Sequence, residues 1–238
     1  MEMPLADALS MLGREALRIV LPAWCAVCAC ELPWRDRIAS CCADCWRSLP
    51  RIATAKCSSC AMPLVEESVC LDCQPNPLPV DWCEAWGRYS GGLERVLRAF
   101  KFGRADFFDA PLASLMASVL RDRDFDVVVP VPMAFLHEQR RGYNQAELLA
   151  RALGNIIDID CELLLATRGS RRTQSRLAAE QRAANVRGAF TASPRAKGKR
   201  VLIVDDVCTT GETLRACALA LRDAGAARVC AITVAKTI

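Results

Sequence analysis

The chain has one histidine and two tyrosines in 238 residues, and aromatics make up 6% of it. A single imidazole, His137, excludes metal sites built from several histidines. It also leaves a Ser-His-Asp triad with one residue to draw on. Charge of one sign is scarce as well: 31 Lys and Arg against 27 Asp and Glu leave a net +4, too even a balance to announce nucleic acid by itself. Long apolar runs are missing. Glu2, Asp7, Arg14, Glu15 and Arg18 break the N-terminal segment, and the longest apolar stretch, Val127 to Leu136, is short and holds two prolines. Neither offers a secretory core or the roughly 18 apolar residues of a membrane span. The expectation is a soluble, cytoplasmic protein without membrane insertion.

Cysteine is what the chain has in excess. Of 15, eleven lie between Cys25 and Cys83, and the other four (Cys161, Cys208, Cys217, Cys230) are scattered. In a reducing compartment such density means metal or chemistry rather than disulfides. Four Cys-x-x-Cys pairs stand within the first group: Cys25/Cys28, Cys42/Cys45, Cys57/Cys60 and Cys70/Cys73. Each pair aims two sulfurs from one short turn, and two pairs complete a tetrahedral thiolate shell for Zn²⁺. Sequential pairing gives Cys25, Cys28, Cys42 and Cys45 to one ion and Cys57, Cys60, Cys70 and Cys73 to the other; a crossed pairing is the alternative. The loops enclosed sequentially are 13 and 9 residues, short enough to close at small entropy. A closed four-thiolate shell has no open position, so both ions are expected to be structural. Cys41 competes with Cys42 as ligand, and Cys30 and Cys83 are spares. All five Trp sit in or beside this region, where packing the ribbons is their simplest use and stacking on unpaired bases another.

Gln74 to Pro79 holds three prolines in six residues and reads as a stiff linker. It divides residues 1–79, an N-terminal helix and the Cys-rich ribbons, from residues 80–238. Beyond it, strands and helices alternate. Strands are expected at Glu84–Tyr89, Asp126–Pro130, Ile159–Leu165, Arg200–Asp206 and Arg228–Val234. Helices are expected at Leu93–Phe100, Pro111–Arg121, Gln145–Leu153 and from Glu212. This alternation predicts an α/β domain with a mostly parallel sheet and helices on both faces. Ligands in such folds bind beyond the carboxyl ends of the strands.

Two motifs fall at that edge. In Val201-Leu-Ile-Val-Asp-Asp-Val-Cys-Thr-Thr-Gly-Glu-Thr213, an apolar strand delivers Asp205 and Asp206 to its end. Gly211 permits positive φ. The turn amides and the hydroxyls of Thr209, Thr210 and Thr213 can cradle a phosphate at the helix N-terminus, and two acceptor-only carboxylates suit the diol of a ribose. The second motif is Val129-Pro-Val-Pro132 followed by Arg140-Arg-Gly-Tyr-Asn-Gln145. Val131 and Met133 carry N–H groups for an anion, Pro132 none, and Arg140 and Arg141 carry cations suited to phosphate. His137 beside them reads as a surface residue. Between the motifs, Arg168–Arg200 holds ten Lys or Arg and one acid, a candidate surface for single-stranded DNA.

The first motif closely resembles the phosphoribosyl-pyrophosphate (PRPP) loop of type I phosphoribosyltransferases. The resemblance implies that Asp205 and Asp206 hold the ribose hydroxyls. It implies that Val207, Cys208, Thr209, Thr210, Gly211, Glu212 and Thr213 wrap the 5-phosphate, that the Pro-Val-Pro loop takes pyrophosphate through backbone amides, and that Mg²⁺ accompanies PRPP. The ordered set is narrower still. Paired Cys knuckles precede Phe100-Lys-Phe-Gly103, Pro-Val-Pro, Arg-Gly-Tyr-Asn-Gln-Ala-Glu-Leu-Leu-Ala, Thr173-Gln-Ser175, Asn185-Val-Arg-Gly-Ala-Phe190 and the PRPP loop. Together they resemble the ComF (competence protein F) family over nearly the whole chain. By that resemblance Arg141, Asn144 and Gln145 line the site and Lys101 approaches the pyrophosphate. Arg171, Arg172 and Arg176 belong to a flap that closes over substrate. The activity implied is phosphoribosyl transfer with pyrophosphate release. The rival is a non-catalytic, DNA-binding accessory of DNA uptake, with competence proteins as partners and PRPP as a sensed ligand.

Overall fold

The computed structural model describes residues 23–32, 37–38, 40–53, 55–66, 68–102, 106–133, 142–168 and 188–238; the expected N-terminal helix lies outside them. Four two-residue strands open the Cys-rich part: β1 (Ala23–Trp24), β2 (Glu31–Leu32), β3 (Arg37–Ile38) and β4 (Cys41–Cys42), with β1 paired to β2 and β3 to β4. A short helix α1 (Ala43–Arg47) follows. Then come β5 (Cys83–Arg88), α2 (Gly91–Phe102), a 3-10 turn at Asp106–Phe108, α3 (Asp109–Ala117), β6 (Val127–Pro130) and α4 (Gln145–Ile157). The chain ends with β7 (Leu165–Thr167), β8 (Phe190–Ala192), β9 (Arg200–Cys208), α5 (Glu212–Asp223) and β10 (Arg228–Lys236).

The main sheet has the order β5-β10-β9-β6 and is parallel throughout. Its strands are buried almost end to end, as parallel strands covered on both faces must be. On one face Leu202, Val204, Cys230 and Ile232 pack with Leu93 and Phe100 of α2, Leu112 of α3 and Leu149 of α4. On the other, Val201, Ile203, Val229 and Ala231 meet Leu214, Cys217 and Leu221 of α5. The amphipathic stripe Leu93, Val96, Leu97, Phe100 is buried as its spacing predicts.

The expected strand Ile159–Leu165 forms differently. It makes one parallel bridge, Val128 to Cys161, and the chain then pairs β7 with β8 as a separate antiparallel hairpin. Asp160 and Glu162 interrupt the apolar run that a two-face-buried strand requires, and Glu162 is held instead by Arg195 and Lys199. α4 runs past Leu153 because Gly154 and Ile157 extend its buried stripe. It ends where Asp158 takes the left-handed conformation at φ 60°.

The Cys-rich part is annealed onto the sheet. Ile52 donates its N–H to Trp86 O at 3.0 Å, Arg88 to Pro50 O at 2.8 Å and Cys83 to Ser58 O at 2.7 Å. Cys25, Leu32, Cys41 and Leu49 share the α2 face, and Cys57, Cys60, Cys70, Cys73 and Leu78 share the α5 face. Trp82 and Trp86 are buried, with Trp82 edge-on to Phe125 at 5.9 Å; Trp24 is exposed.

A buried ion cluster joins the two parts. Glu84 of β5, itself buried, accepts from Lys56 of the second ribbon and from Arg121 Nε at 2.7 Å. Removing one member leaves the others desolvated without compensation. Glu84→Ala should therefore cost about 3–5 kcal/mol, read as a lowered denaturation midpoint at unchanged slope, whereas Glu94→Ala on the exposed face of α2 should move it by less than about 1 kcal/mol.

Candidate functional site

Strand β9 carries the two carboxylates to the sheet edge. Side chains alternate along a strand, so Asp205 falls on the face of Val201 and Ile203, and Asp206 on the face of Leu202 and Val204. The two adjacent acids therefore leave the strand on opposite faces. Asp206 is buried and receives Lys101 Nζ at 2.8 Å. Asp205 is half-buried and accepts the Asp206 N–H at 2.8 Å. Burial, with the Asp206 charge next to it, pushes the Asp205 carboxyl well above the usual range.

Lys101 reaches Asp206 because the end of α2 is tethered. Tyr143 donates its hydroxyl to Phe100 O, and Gln145 Nε2, from a buried side chain, donates to Lys101 O at 3.4 Å. Gln145 thus fixes the helix that carries the ammonium. Asn144 caps α4 by accepting from the Ala146 N–H at 3.0 Å and donates Nδ2 to Val131 O at 3.0 Å, so it braces the Pro-Val-Pro loop. Val131 is a correction: its N–H is donated to Val204 O at 2.9 Å and is not available to an anion. Met133 is half-buried two residues on. Arg141, with Arg140 and His137, lies outside the described residues, as do Arg171, Arg172 and Arg176.

The loop after β9 is exposed at its threonines and braced beneath. Thr209, Thr210 and Thr213 are exposed, Val207 and Glu212 half-buried, and Cys208 buried. Gly211 sits at φ 86° and caps α5; a Cβ there would stand 3.2 Å from Leu78 of the Pro-rich segment. Arg215 of α5 holds the same segment, donating to Asn76 Oδ1 at 3.0 Å, Pro77 O at 2.8 Å and Asn76 O at 2.6 Å. From below, the buried Lys236 of β10 donates to Thr209 O and to Thr237 O. The stiff linker of the sequence reading is therefore the loop's brace. Lys236 and Arg215 carried no motif that could have flagged them.

In the basic stretch, Arg195 and Lys199 hold Glu162 at 2.6 and 2.7 Å, and Arg200 holds Asp126 at 2.6 Å and also Asp124. These cations are committed to the fold.

The cysteines gather into two groups whose sulfurs lie within 4.8 Å of one another: Cys25, Cys28, Cys30 and Cys42, and Cys57, Cys60, Cys70 and Cys73. The second is the sequential set the spacing predicts. In the first, Cys30 enters the compact four, and Cys45 lies against it in contact with Cys42, Cys28 and Cys25. The donor chemistry fits a thiolate-bound metal. Val27 and Cys42 donate backbone N–H to Cys25 Sγ, each at 3.4 Å, and Cys70 donates to Cys57 Sγ at 3.3 Å. Burial pushes Cys25 up, but the amides of Cys28, Cys42 and Val27 outweigh it and bring the thiol down to about 6. Cys41 does not compete: burial pushes it up to about 12, and it packs in the core.

The double zinc ribbon domain family matches residues 16–74, and the phosphoribosyl transferase domain family matches residues 109–237. DNA utilization protein YhgH of Salmonella typhimurium is 30% identical over 221 residues, 89% of this chain and 96% of that one. Competence protein ComFC of Bacillus subtilis is 30% identical over 82% of this chain and 84% of its own. This chain belongs to the ComF family. Competence protein F of Haemophilus influenzae is 33% identical over 58% of this chain and 66% of its own. Among solved structures, glutamine PRPP amidotransferase from B. subtilis aligns over 56% of this chain and 30% of its own, at 23% identity and TM-score 0.41. Adenine phosphoribosyltransferase from Thermoanaerobacter pseudethanolicus aligns over 60% and 84%, at 20% and 0.38. The sheet order and the match to residues 109–237 make this the type I phosphoribosyltransferase fold of a ComF protein.

The raised Asp205 acid has a consequence for stability. An acid held above its unfolded value of about 3.9 binds its proton more tightly when folded, so folding loses stability as pH rises from about 4 toward the folded value. Asp205→Asn removes that loss. Its denaturation midpoint should exceed the wild type's at neutral pH, and the gap should close as pH approaches 4; a constant gap would contradict the assignment.

Proposed function

We propose that this protein is an accessory of DNA uptake or use whose sheet edge binds a ribose 5-phosphate ligand of the PRPP type. The observation that carries the ligand is the set of exposed threonines, Thr209, Thr210 and Thr213, in the turn that directly follows the strand bearing the Asp206–Lys101 pair. Hydroxyls and helix-start amides suit a phosphate monoester. Asp206 is the acceptor for a sugar hydroxyl, which would share or displace the Lys101 ammonium. The relatives named for competence and DNA utilization support the accessory role.

Phosphoribosyl transfer is the second reading, and Lys101 favours it: an ammonium at the carboxylates stands where pyrophosphate would develop charge on leaving. In either reading Asp205 and Asp206 orient the sugar, Gln145 and Tyr143 hold Lys101 in place, and Asn144 holds the Pro-Val-Pro loop. Mg²⁺, which would arrive on the pyrophosphate, fits this acceptor-rich edge and supplies charge neutralisation when bound. Arg141 is proposed as a further cation on the pyrophosphate.

Calorimetric titration of Mg²⁺–PRPP, followed by a pyrophosphate-release assay across a nucleobase panel, separates the readings. Binding without release supports the accessory, release supports the transferase, and no binding sinks both. Asp206→Asn should weaken PRPP by roughly 10- to 100-fold, as loss of a charge-assisted contact does, and leave oligonucleotide retention unchanged. DNA binding, with Arg195, Lys199 and Arg200 already paired, is assigned to Arg171, Arg172 and Arg176. Arg171→Ala with Arg172→Ala should reduce the salt slope of single-stranded DNA binding by about 1.4; an unchanged slope removes the assignment.

A further inference from the structure

The two cysteine clusters differ in number. Around the second, Cys57, Cys60, Cys70 and Cys73 are all buried, and the next thiol, Cys83, is engaged with Cys208 instead. Around the first, five thiols converge. Cys25, Cys28, Cys30 and Cys42 form the compact set. Cys45 donates its backbone N–H to Cys42 Sγ at 3.4 Å, which sets it at the edge of the group, and its thiol interacts with those of Cys42, Cys28 and Cys25. Cys30 is brought in by local geometry: Ala29 stands at φ 57°, and Cys25 N–H closes on Cys30 O at 2.8 Å. The turn folds Cys30 back beside Cys28, and both are exposed. Cys41 interacts with Cys25 as well, but it is buried and its thiol is committed to Cys42 O at 3.6 Å, which leaves the other five for a metal.

A tetrahedral zinc centre takes four of these five. Cys25, Cys28 and Cys42 belong to the group whichever way it is completed. We propose that Cys30 and Cys45 are interchangeable fourth ligands of the first metal centre, so that one thiol always stands unbound at its rim. That thiol is a modification site for soft electrophiles. Its sulfur adds across an activated carbon–carbon double bond, a new S–C bond forms, and the thiol proton ends on the neighbouring carbon through water. No other reagent is needed, and the metal keeps four sulfurs.

Zinc content of the full-length chain tests this. Wild type should hold two ions per chain, Cys30→Ser two, Cys45→Ser two, and Cys30→Ser with Cys45→Ser one. The second ribbon's ion is the internal control for folding. Cys45→Ser falling to one ion means Cys30 cannot ligate; Cys30→Ser falling to one means it is obligatory; a double variant keeping two means some other ligand serves. A wild type holding fewer than two fails earlier, at the metal centre itself. Each of these overturns the proposal. N-ethylmaleimide mapping of the metal-loaded wild type gives a readout that needs no variant. One adduct is expected within residues 25–45, on Cys30 or Cys45, and an adduct on neither overturns the proposal.

Discussion

Two adjacent carboxylates at the end of a buried strand are an electrostatic burden, and much of the layout follows from how that burden is met. Asp206 is deep enough to require a cation, and Lys101 supplies it at 2.8 Å. A close pair of this kind interacts by about 4 kcal/mol or more at an effective dielectric near 20, and desolvation of both groups offsets much of that. The pair therefore adds less to stability than to position: it fixes where α2 must end. Tyr143 and Gln145 then hold that helix end, and Asn144 joins it to the loop after β6. Asp205 is also near Lys101, but burial and the Asp206 charge outweigh that attraction and make it the more reluctant acid. Carboxyls shifted in this way gather at functional sites, in keeping with the ligand proposed for this edge.

The ribbons extend this logic to the metal. Segments with two-residue strands cannot bury a core of their own, and here they do not try. The first ribbon lies on the α2 face, where Arg95 donates to Val27 O at 2.5 Å, and the second lies on the α5 face. One ribbon backs the helix that carries Lys101, and the other backs Gly211 through Leu78. Metal binding, on the order of 10 kcal/mol per site in small zinc domains, would thereby be coupled to both halves of the sheet edge.

The sequence made legible whatever is written locally. Apolar runs located β6, β9 and β10, the spacing of Leu93 to Phe100 located α2, and the Cys-x-x-Cys repeats located the second cluster. The motif at the end of β9 was readable because its glycine, threonines and acids lie within thirteen residues. Contacts that couple distant segments were not readable. Lys236 beneath Thr209, Arg215 on Asn76 and Lys56 on Glu84 are single charged residues with no periodicity to mark them. The role of the Val131 N–H was not legible either, because an N–H just past a strand looks the same in sequence whether it faces a partner strand or a ligand. Ile159–Leu165 has the apolar content of a strand, but Asp160 and Glu162 deny it two buried faces, and it makes one bridge.

Pairing also decides how the basic stretch should be understood. Ten cations with one acid look like a binding surface only if the acids elsewhere in the chain are ignored. Glu162, Asp124 and Asp126 lie outside that stretch, yet they engage Arg195, Lys199 and Arg200. An ion pair of this kind must be broken or shared before its cation can neutralise a phosphate, which lowers the counterion release each contact can give. The charge available to nucleic acid is therefore smaller than the composition states, and the DNA contact proposed above falls to the arginines between β7 and β8. That segment departs from the hairpin beside α5, the helix that starts at the phosphate loop. DNA contact and ligand binding would then meet on one helix, with the loop at its beginning and the hairpin along its flank.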